Sequence, residues 1–337
     1  MTHLVNIRNG LLLGAILLGT GLKAQVGNFD SMNSYVAPLE ARLADIRSLP
    51  ANAIGSDVKQ PDFSIGYFSN DLDIDQDVGR FQWDSQWDSL QLSYGYRKAD
   101  WRFGILASFQ DGDIESREIN DEVPDPAFGN LTHDGWIGGL YVGYDWHPFS
   151  LTFVAGEGSS ENKMDRSSDL GPTYGLSTAV FDTDSQFLIG TLKMEHFLWE
   201  DQLIYPFLSF GFAEIDADGF EESGGPDRRI VSDFSDSQNF LELGISFESG
   251  QNWYSPEFAF SYWVDLSNDD VLIDVDAANG TNLGTLVVPN AVESLLKGSI
   301  ALDRNISDHW NIRVGLDYAT GDSTDIFGFG VQAQWTY

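Results

Sequence analysis

The sequence predicts an all-β protein, a closed antiparallel transmembrane β-barrel of about 12 strands with a short N-terminal amphipathic helix. Three observations favour this fold. From residue 62 onward, segments of about ten residues alternate apolar and polar side chains with a period of two. Short turns and long polar loops alternate between these segments, and tryptophans concentrate at the segment ends. A membrane barrel has these features, because one face of each strand meets lipid and the other meets the lumen.

Composition excludes several other classes of protein. The 337 residues include no Cys, 52 acidic and 18 basic side chains, and the net charge is -34. A nucleic-acid-binding protein neutralises phosphates with clustered Lys and Arg, a disulfide-stapled domain needs paired Cys, and zinc and iron–sulfur sites depend on thiolates. The 13% aromatic content argues against intrinsic disorder despite the net charge. We therefore expect a folded protein with no nucleic-acid partner and no cofactor.

Residues 1–24 are predicted to be a secretory signal peptide. A polar start that contains Arg8 precedes an apolar run over residues 11–22, and polar sequence returns at Lys23. The run is shorter than the roughly 20 apolar residues that a membrane-spanning helix needs, so we expect cleavage after Ala24.

Residues 25–61 form an N-terminal segment ahead of the barrel, and residues 31–49 within it are predicted to be the amphipathic helix. Apolar side chains recur along one side of this helix, at Leu39, Leu43, Ile46 and Leu49. A free helix of that length is marginally stable in water. We therefore expect it to pack, either inside the barrel as a plug or against the periplasmic rim.

The barrel is predicted to occupy residues 62–337, with both chain ends on the periplasmic side. Its strands are expected at residues 62–69, 86–97, 100–110, 134–145, 149–158, 185–199, 203–214, 238–248, 253–265, 293–304, 309–320 and 325–337. Long loops are expected at residues 70–85, 111–133, 159–184, 215–237 and 266–292, with a shorter one at 321–324. Segments 185–199 and 203–214 are apolar on both faces over part of their length, so their inward and outward positions stay undetermined.

The tryptophans divide between the two rims. A girdle beside the short turns is expected from Trp101, Trp146, Trp199, Trp253, Trp310 and Trp335. A second belt at the opposite rim is expected from Trp87, Trp136 and Trp263, with Trp83 inside a loop. Indole rings prefer the interface between membrane and water, so two belts favour a membrane barrel over a soluble β-sandwich.

Charged side chains on the inward faces are the candidate pore-lining residues. They are Arg97, Arg102, Asp145, Glu242, Glu257, Lys297, Asp303, Arg313 and Asp317. Their mixed signs fit either a polar, water-filled conduit or a salt-bridged and closed interior. Most of the net negative charge lies in the long loops, and fixed charge at a channel mouth concentrates counter-ions. A conducting barrel is therefore expected to favour cations modestly.

Two acidic stretches are weak candidates for calcium binding. Alternating carboxylates occur in the first loop at Asp71, Asp73, Asp75 and Asp77, and in the fourth at Asp216 and Asp218. Neither stretch completes an EF-hand, so solvated acidic loops and loose divalent bridging to lipopolysaccharide are the alternatives. No Ser and His are arranged as an outer-membrane hydrolase requires, and we expect no enzymatic activity.

The final strand ends with residues 332–337, QAQWTY, and so carries a terminal aromatic residue. Together with the signal peptide, the strand pattern and the tryptophan girdle, this ending resembles Gram-negative outer-membrane β-barrel proteins. The resemblance implies a location in the cell outer membrane and contact with membrane lipid and lipopolysaccharide. It also implies that the outer-membrane insertion machinery reads the C-terminal strand.

Two subfamilies of such barrels share the predicted strand number. Channel-forming porins are one, and autotransporter translocator domains, whose barrel is preceded by a helix in its lumen, are the other. The predicted helix fits the second, but only residues 25–61 separate the cleavage site from the barrel, so no passenger domain is expected. We therefore expect a porin-like channel for passive diffusion of small hydrophilic solutes. The alternative is a non-conducting surface or structural barrel, resembling an adhesin, a phage receptor or a translocator without a passenger.

Overall fold

The computed structural model describes residues 35, 36, 38, 39, 42–44, 46, 62–76, 81–118, 128–167, 175–199, 202–249, 255–267, 270–288, 292–321 and 323–336. The predicted signal peptide and most of the predicted N-terminal segment lie outside these residues. The described chain forms a closed antiparallel barrel of twelve long strands, which confirms the predicted fold class.

The strands follow one another in the order of the chain. They are β1 (Asp62–Gln76), β2 (Phe81–Lys98), β3 (Trp101–Glu118), β4 (Phe128–Trp146), β5 (Phe149–Ser167), β6 (Leu176–Met194), β7 (His196–Trp199), β8 (Gln202–Ala217), β9 (Phe220–Glu221), β10 (Ser223–Gly224), β11 (Arg229–Val231), β12 (Phe234–Ser249), β13 (Ser255–Asp265), β14 (Val271–Ala277), β15 (Asn282–Val288), β16 (Ser294–Asn305), β17 (Trp310–Thr320) and β18 (Thr324–Thr336). β7 continues β6, and the short strands β9, β10, β11, β14 and β15 lie in connections between barrel strands. β1 pairs with β18 and β6 pairs with β8, so the barrel has no open edge.

An apolar belt on the outer face marks the part of the barrel that lies in the membrane. On β3 the outward side chains from Trp101 to Phe109 are mostly large and apolar, whereas Arg102 and Ser108 on the inner face are buried. Eight residue steps of about 3.4 Å, on a strand tilted by about 40°, rise roughly 21 Å, close to the height of the apolar band of outer-membrane barrels. Exposed apolar side chains continue the belt on other strands, including Leu90, Leu140, Leu188, Phe210, Leu243, Phe260, Ile300, Leu316 and Phe329.

Strands β1 to β6 continue well beyond the belt, and we call this extension the crown. Here the alternation is inverted, because outward positions carry acidic side chains such as Asp111 and inward positions carry buried apolar ones such as Ile114. Outside the membrane, water replaces lipid, so the apolar face must turn inward to be buried. The loops predicted at residues 70–85, 111–133 and 159–184 are therefore wrong over most of their length, since the strands run on through them.

A second, four-stranded sheet lies at the crown end of the barrel, and we call it the cap sheet. Its strand order is β15-β14-β11-β9. Val231, Ile273 and Val275 on its inner face are buried and belong to the same apolar cluster as the inward residues of the crown. The loops predicted at residues 215–237 and 266–292 thus contain strands, which were too short for the membrane-strand pattern to detect.

Candidate functional site: the barrel lumen

A helix occupies the crown half of the lumen. Its described helical residues are 38, 39, 42–44 and 46, within the helix predicted at residues 31–49. The side chains that this segment buries completely are Tyr35, Val36, Leu39, Leu43 and Ile46. They share one apolar cluster with inward side chains of the wall, and we call the described residues between 35 and 46 the lumen helix. No helix among the described residues is long and apolar enough to cross a membrane.

Arg42 fixes the lumen helix to the middle of the wall. Its guanidinium donates hydrogen bonds to the side-chain oxygen of Gln110 on β3 and to the backbone oxygen of Trp136 on β4. It also donates to Ser185 Oγ on β6 at 3.3 Å and to the backbone oxygen of Ser159 on β5 at 3.4 Å. One side chain therefore links the helix to four neighbouring strands near their midpoints.

Tyr35 lies at the crown end of the lumen, where it joins a buried ion pair. Its hydroxyl donates to Glu222 Oε1 at 2.7 Å, and its ring meets Phe220 edge-on at a centroid distance of 5.3 Å. Arg166, near the crown end of β5, donates to both carboxylate oxygens of Glu222 at 2.7 and 2.8 Å. The side chains of Arg166 and Glu222 are both 0% exposed. We call Tyr35, Arg166 and Glu222 the crown latch.

An ion pair and a further hydrogen bond surround the crown latch. Arg166 Nη1 lies 3.6 Å from Asp227 Oδ2, and the backbone N–H of Arg229 donates to Glu222 Oε2 at 3.0 Å. Burial raises the pKa of the Tyr35 hydroxyl well above its ordinary value, so this group stays protonated and remains a donor at neutral pH. The latch therefore joins the lumen helix, β5 and the connection between β8 and β12.

These contacts give the direction of the lumen helix. Tyr35 contacts the crown end of the wall, whereas Arg42, seven residues later, contacts the middle. Asp62, at the start of β1, pairs with Thr336 at the short-turn end of the barrel. From Tyr35 to Arg42, the chain therefore descends from the crown to the middle of the wall.

Charged side chains line the half of the lumen nearer the short turns. All the predicted pore-lining residues lie at inward positions of their strands, and Asp317 shares the inner face of β17 with Arg313. The ion pairs are Arg97–Asp145 at 3.1 Å, Arg102–Asp145 at 3.0 Å, Lys297–Glu242 at 3.4 Å, Arg313–Glu257 at 2.7 Å and Arg313–Asp303 at 2.9 Å. These side chains are between 8 and 32% exposed, so water reaches this half of the lumen.

Two of the ion pairs skip a strand. Arg313 on β17 reaches Glu257 on β13, although β16 lies between them. Lys297 on β16 likewise reaches Glu242 on β12 past β13. Such pairs can form only on the concave inner face, so these charges face the lumen and not lipid. Because the charges are paired, they add little net potential to the interior.

The comparison with known proteins decides between the subfamilies at the level of the domain. The autotransporter β-domain profile matches residues 63–330, most of the chain. The chain belongs to the autotransporter β-domain family. Such barrels are outer-membrane proteins of Gram-negative bacteria, so the predicted location is confirmed.

Solved structures of low sequence identity share the fold of this autotransporter β-domain. The translocator domain of the autotransporter NalP from Neisseria meningitidis superposes with a TM-score of 0.71 at 11% identity, over 90% of this chain and 98% of that one. The transport unit of the autotransporter AIDA-I from Escherichia coli gives 0.60 at 9% identity, over 93% and 99%. The toluene transporter TbuX from Ralstonia pickettii gives 0.53 at 11%, over 86% and 93%. A sequence search of curated proteins finds no match.

Several lumen residues of this autotransporter β-domain were not predicted from the sequence. Arg166 and Glu222 fell in segments predicted to be loops, and Arg42 lies on the polar side of the predicted helix. Lys193 lies on the inner face of β6 and is exposed to the lumen, and the described part of the chain gives it no carboxylate within ion-pair distance. The inward and outward positions of segment 185–199 could have been assigned from Lys193, because placing a Lys side chain toward lipid is costly.

The predicted tryptophan girdle is placed at the short-turn rim. Trp101, Trp146 and Trp310 face outward there and are exposed, and Trp335 pairs with Trp310 across β17 and β18. The side chain of Trp199 and all of Trp253 lie outside the described residues.

The predicted second belt is wrong for most of its members. Trp136 is exposed on the outer face, at the crown side of the apolar belt. Trp87 and Trp263 are at most 3% exposed and lie at inward positions, and so does Trp83, which was predicted inside a loop. They sit above or at the edge of the belt, where the apolar face of each strand has turned inward.

Acidic side chains form a row across neighbouring strands on the outer face of the crown. The row passes through cross-strand partners on β2 to β6, namely Asp88, Asp111, Asp134, Glu161 and Asp182. All five are exposed. Like charges that face one another across strands repel, so the row makes the crown strongly negative at some cost in stability.

The calcium candidates whose side chains are described do not converge on one point. Asp71 and Asp73 lie on the outer face of β1, about 7 Å apart along the strand. Asp216 is outward on β8, and Asp218 follows that strand. Asp77 and the side chain of Asp75 lie outside the described residues. Within the described ranges, no three His, Cys, Asp or Glu side chains are placed to hold a metal ion.

Proposed function

We propose that this barrel is an autotransporter-type translocator, which carries the chain segment ahead of Tyr35 through its lumen to the cell surface. The direction of the lumen helix supports this proposal, because the chain descends from the crown to the middle of the wall. Outer-membrane barrels have short turns on the periplasmic side and longer connections outside. The crown then faces out of the cell, and so does the segment that precedes Tyr35. This proposal replaces the expectation that both chain ends lie on the periplasmic side.

The lumen helix then serves as the plug of the finished barrel. Its apolar stripe is buried against the wall, Arg42 links it to four strands, and the crown latch holds its outer end. A helix that entered the lumen by chance from the periplasm would not need specific partners at both the crown end and the middle of the wall. The plug prevents the barrel from leaking solutes after translocation.

Passive diffusion of small hydrophilic solutes is the second candidate function. The water-accessible charged half of the lumen favours it. The lumen helix and the apolar cluster fill the crown half, so we expect the native barrel to conduct little. Modest cation preference is then expected of a barrel whose helix has been removed.

The test uses cysteines as reporters of sidedness, because the chain contains none of its own. Asn33→Cys places a thiol just ahead of Tyr35, and intact cells are treated with a membrane-impermeant maleimide. Ser232→Cys, exposed between β11 and β12, is the control for the crown side. Asp308→Cys, exposed in the turn between β16 and β17, is the control for the short-turn side.

We expect Asn33→Cys to be labelled in intact cells to the same extent as Ser232→Cys, with Asp308→Cys labelled only after the outer membrane is permeabilised. Labelling of Asn33→Cys only after permeabilisation would refute translocation of this segment. Deletion of residues 27–55 should raise conductance in planar bilayers, because it removes the plug.

A further inference from the structure

Among the described residues, nothing pairs with the outer edge of the cap sheet on the crown side. β15 is the terminal strand of the order β15-β14-β11-β9 and pairs with β14 alone. No backbone hydrogen bond from another described residue reaches its free side. In an antiparallel pair, about half of the backbone N–H and C=O groups of an edge strand point away from its neighbour. These groups form a row that can accept one more strand.

The sequence of β15 lacks the usual protection of an edge strand. Edges are commonly protected against pairing by charged side chains, and residues 277–292 contain no charge at all. Leu272 and Val287 are cross-strand partners on the outer face of the β14–β15 hairpin, and they are 59% and 47% exposed. The strand therefore offers both hydrogen-bonding groups and apolar contact.

The charge along this edge is predominantly negative. No basic residue occurs between Arg229 and Lys297, whereas eleven acidic residues do. Thr285 on β15 donates to Asp274, and Asn282 donates to Asp276 at 3.0 Å, so two carboxylates lie one strand from the free edge. Arg229 pairs with Ala277 at the turn end of β14, and the backbone oxygen of Arg228 accepts a hydrogen bond from Ala278 N–H there. A ligand that pairs with β15 away from this end thus meets mainly negative charge.

We propose that β15 binds an extended, basic segment of another polypeptide by strand addition. Main-chain hydrogen bonds to the free edge supply affinity, and the carboxylates of Asp274 and Asp276 select Lys or Arg at alternate positions. A second copy of this chain is disfavoured as the occupant, because pairing two β15 edges brings two strongly acidic crowns together. The proposal concerns the outer surface and is independent of translocation through the lumen.

The test uses synthetic nine-residue peptides with purified full-length protein in detergent micelles. The first peptide alternates Lys with Val and Thr, the second replaces Lys by Glu, and the third is the Lys peptide N-methylated at every backbone nitrogen. Fluorescence anisotropy of labelled peptide measures binding. N-methylation keeps charge and side chains but removes the donors of both edges, so it should weaken binding roughly tenfold or more. The Glu peptide should not bind.

Two variants locate the site on the protein. Asp274→Asn combined with Asp276→Asn should weaken binding of the Lys peptide several-fold at low salt and little at high salt, because exposed charges are screened. Thr285→Cys should form a disulfide with a Lys peptide that carries one central Cys. Thr132→Cys, exposed on the outer face of β4, is the matched control and should be trapped much less.

Three results would overturn the proposal. Equal binding of the N-methylated peptide would mean that charge alone attracts it to the crown. Equal trapping at Thr132→Cys would place the binding elsewhere on the acidic surface. A Thr285→Cys homodimer that forms in preference to the peptide adduct would make a second copy of this chain the occupant.

Discussion

Arg42→Ala is the substitution that tests the plug most sharply. It removes the side chain that joins the lumen helix to β3, β4, β5 and β6, while the apolar stripe of the helix stays intact. The apolar stripe alone must then hold the helix in the lumen. The crown latch is not touched by the change, since Tyr35 lies two helical turns away.

The magnitude follows from the hydrogen bonds that are lost. A hydrogen bond to a charged group contributes about 1.5–3 kcal/mol net. Counting only the bonds to Gln110 and to the backbone of Trp136 at the lower value gives about 3 kcal/mol. The equilibrium between the helix inside and outside the lumen should therefore shift toward the open state by about a hundredfold.

Planar-bilayer recording measures this shift as the fraction of time that single barrels conduct. We expect rare openings for the native protein and frequent ones for Arg42→Ala. Arg42→Lys keeps the charge but loses the planar fork, so it should fall between them. Arg304→Ala, exposed at the end of β16, is the control that should behave like the native protein. Native-like closure of Arg42→Ala would refute the view that this side chain anchors a plug.

Three further predictions concern stability and selectivity. Arg166→Met should lower the free energy of unfolding by about 3–5 kcal/mol, and the double variant with Glu222→Leu should recover only part of it, because both fully buried charges are removed while the Tyr35 hydroxyl and the Arg229 N–H lose their acceptor; urea unfolding in micelles measures both. Trp263→Ala, 0% exposed, should cost about 3–5 kcal/mol in the same assay, and lipid-facing Trp310→Ala clearly less; equal costs would contradict the inward placement. In a barrel lacking residues 27–55, Asp145→Asn should move the reversal potential in a KCl gradient toward anion selectivity, because two arginines lose their shared carboxylate; an unchanged potential would argue against permeation past this ring.

The parts of the fold that lie in lipid could be predicted from sequence because their pattern has one physical cause. In the belt, every outward side chain meets hydrocarbon, so β3 shows apolar Trp101, Phe103 and Ile105 at alternate positions. The inward charges follow by default, and this is why Arg97 and Arg313 were assigned to the correct face.

The crown could not be predicted by the same rule. Its strands keep the alternation with a period of two, but their apolar side chains face inward instead of outward. Trp83 and Ile114 face inward where Tyr94 and Ile105 of the same strands face outward. Acidic residues at the outward positions therefore suggested solvated loops. The crown latch was hidden for the same reason, and because Arg166 and Glu222 lie 56 positions apart in the sequence.

The distance from the segment ahead of Tyr35 to each rim tests the central claim most directly. Spin labels on Asn33→Cys and Ser232→Cys report the distance to the crown, and labels on Asn33→Cys and Asp308→Cys report the distance to the short turns. The 18 residue steps of β5 at about 3.4 Å, tilted by about 40°, separate the two ends by roughly 47 Å. A chain that descends from the crown predicts a clearly shorter distance from residue 33 to residue 232 than to residue 308. The reverse order would show that the segment enters from the periplasm and would contradict translocation.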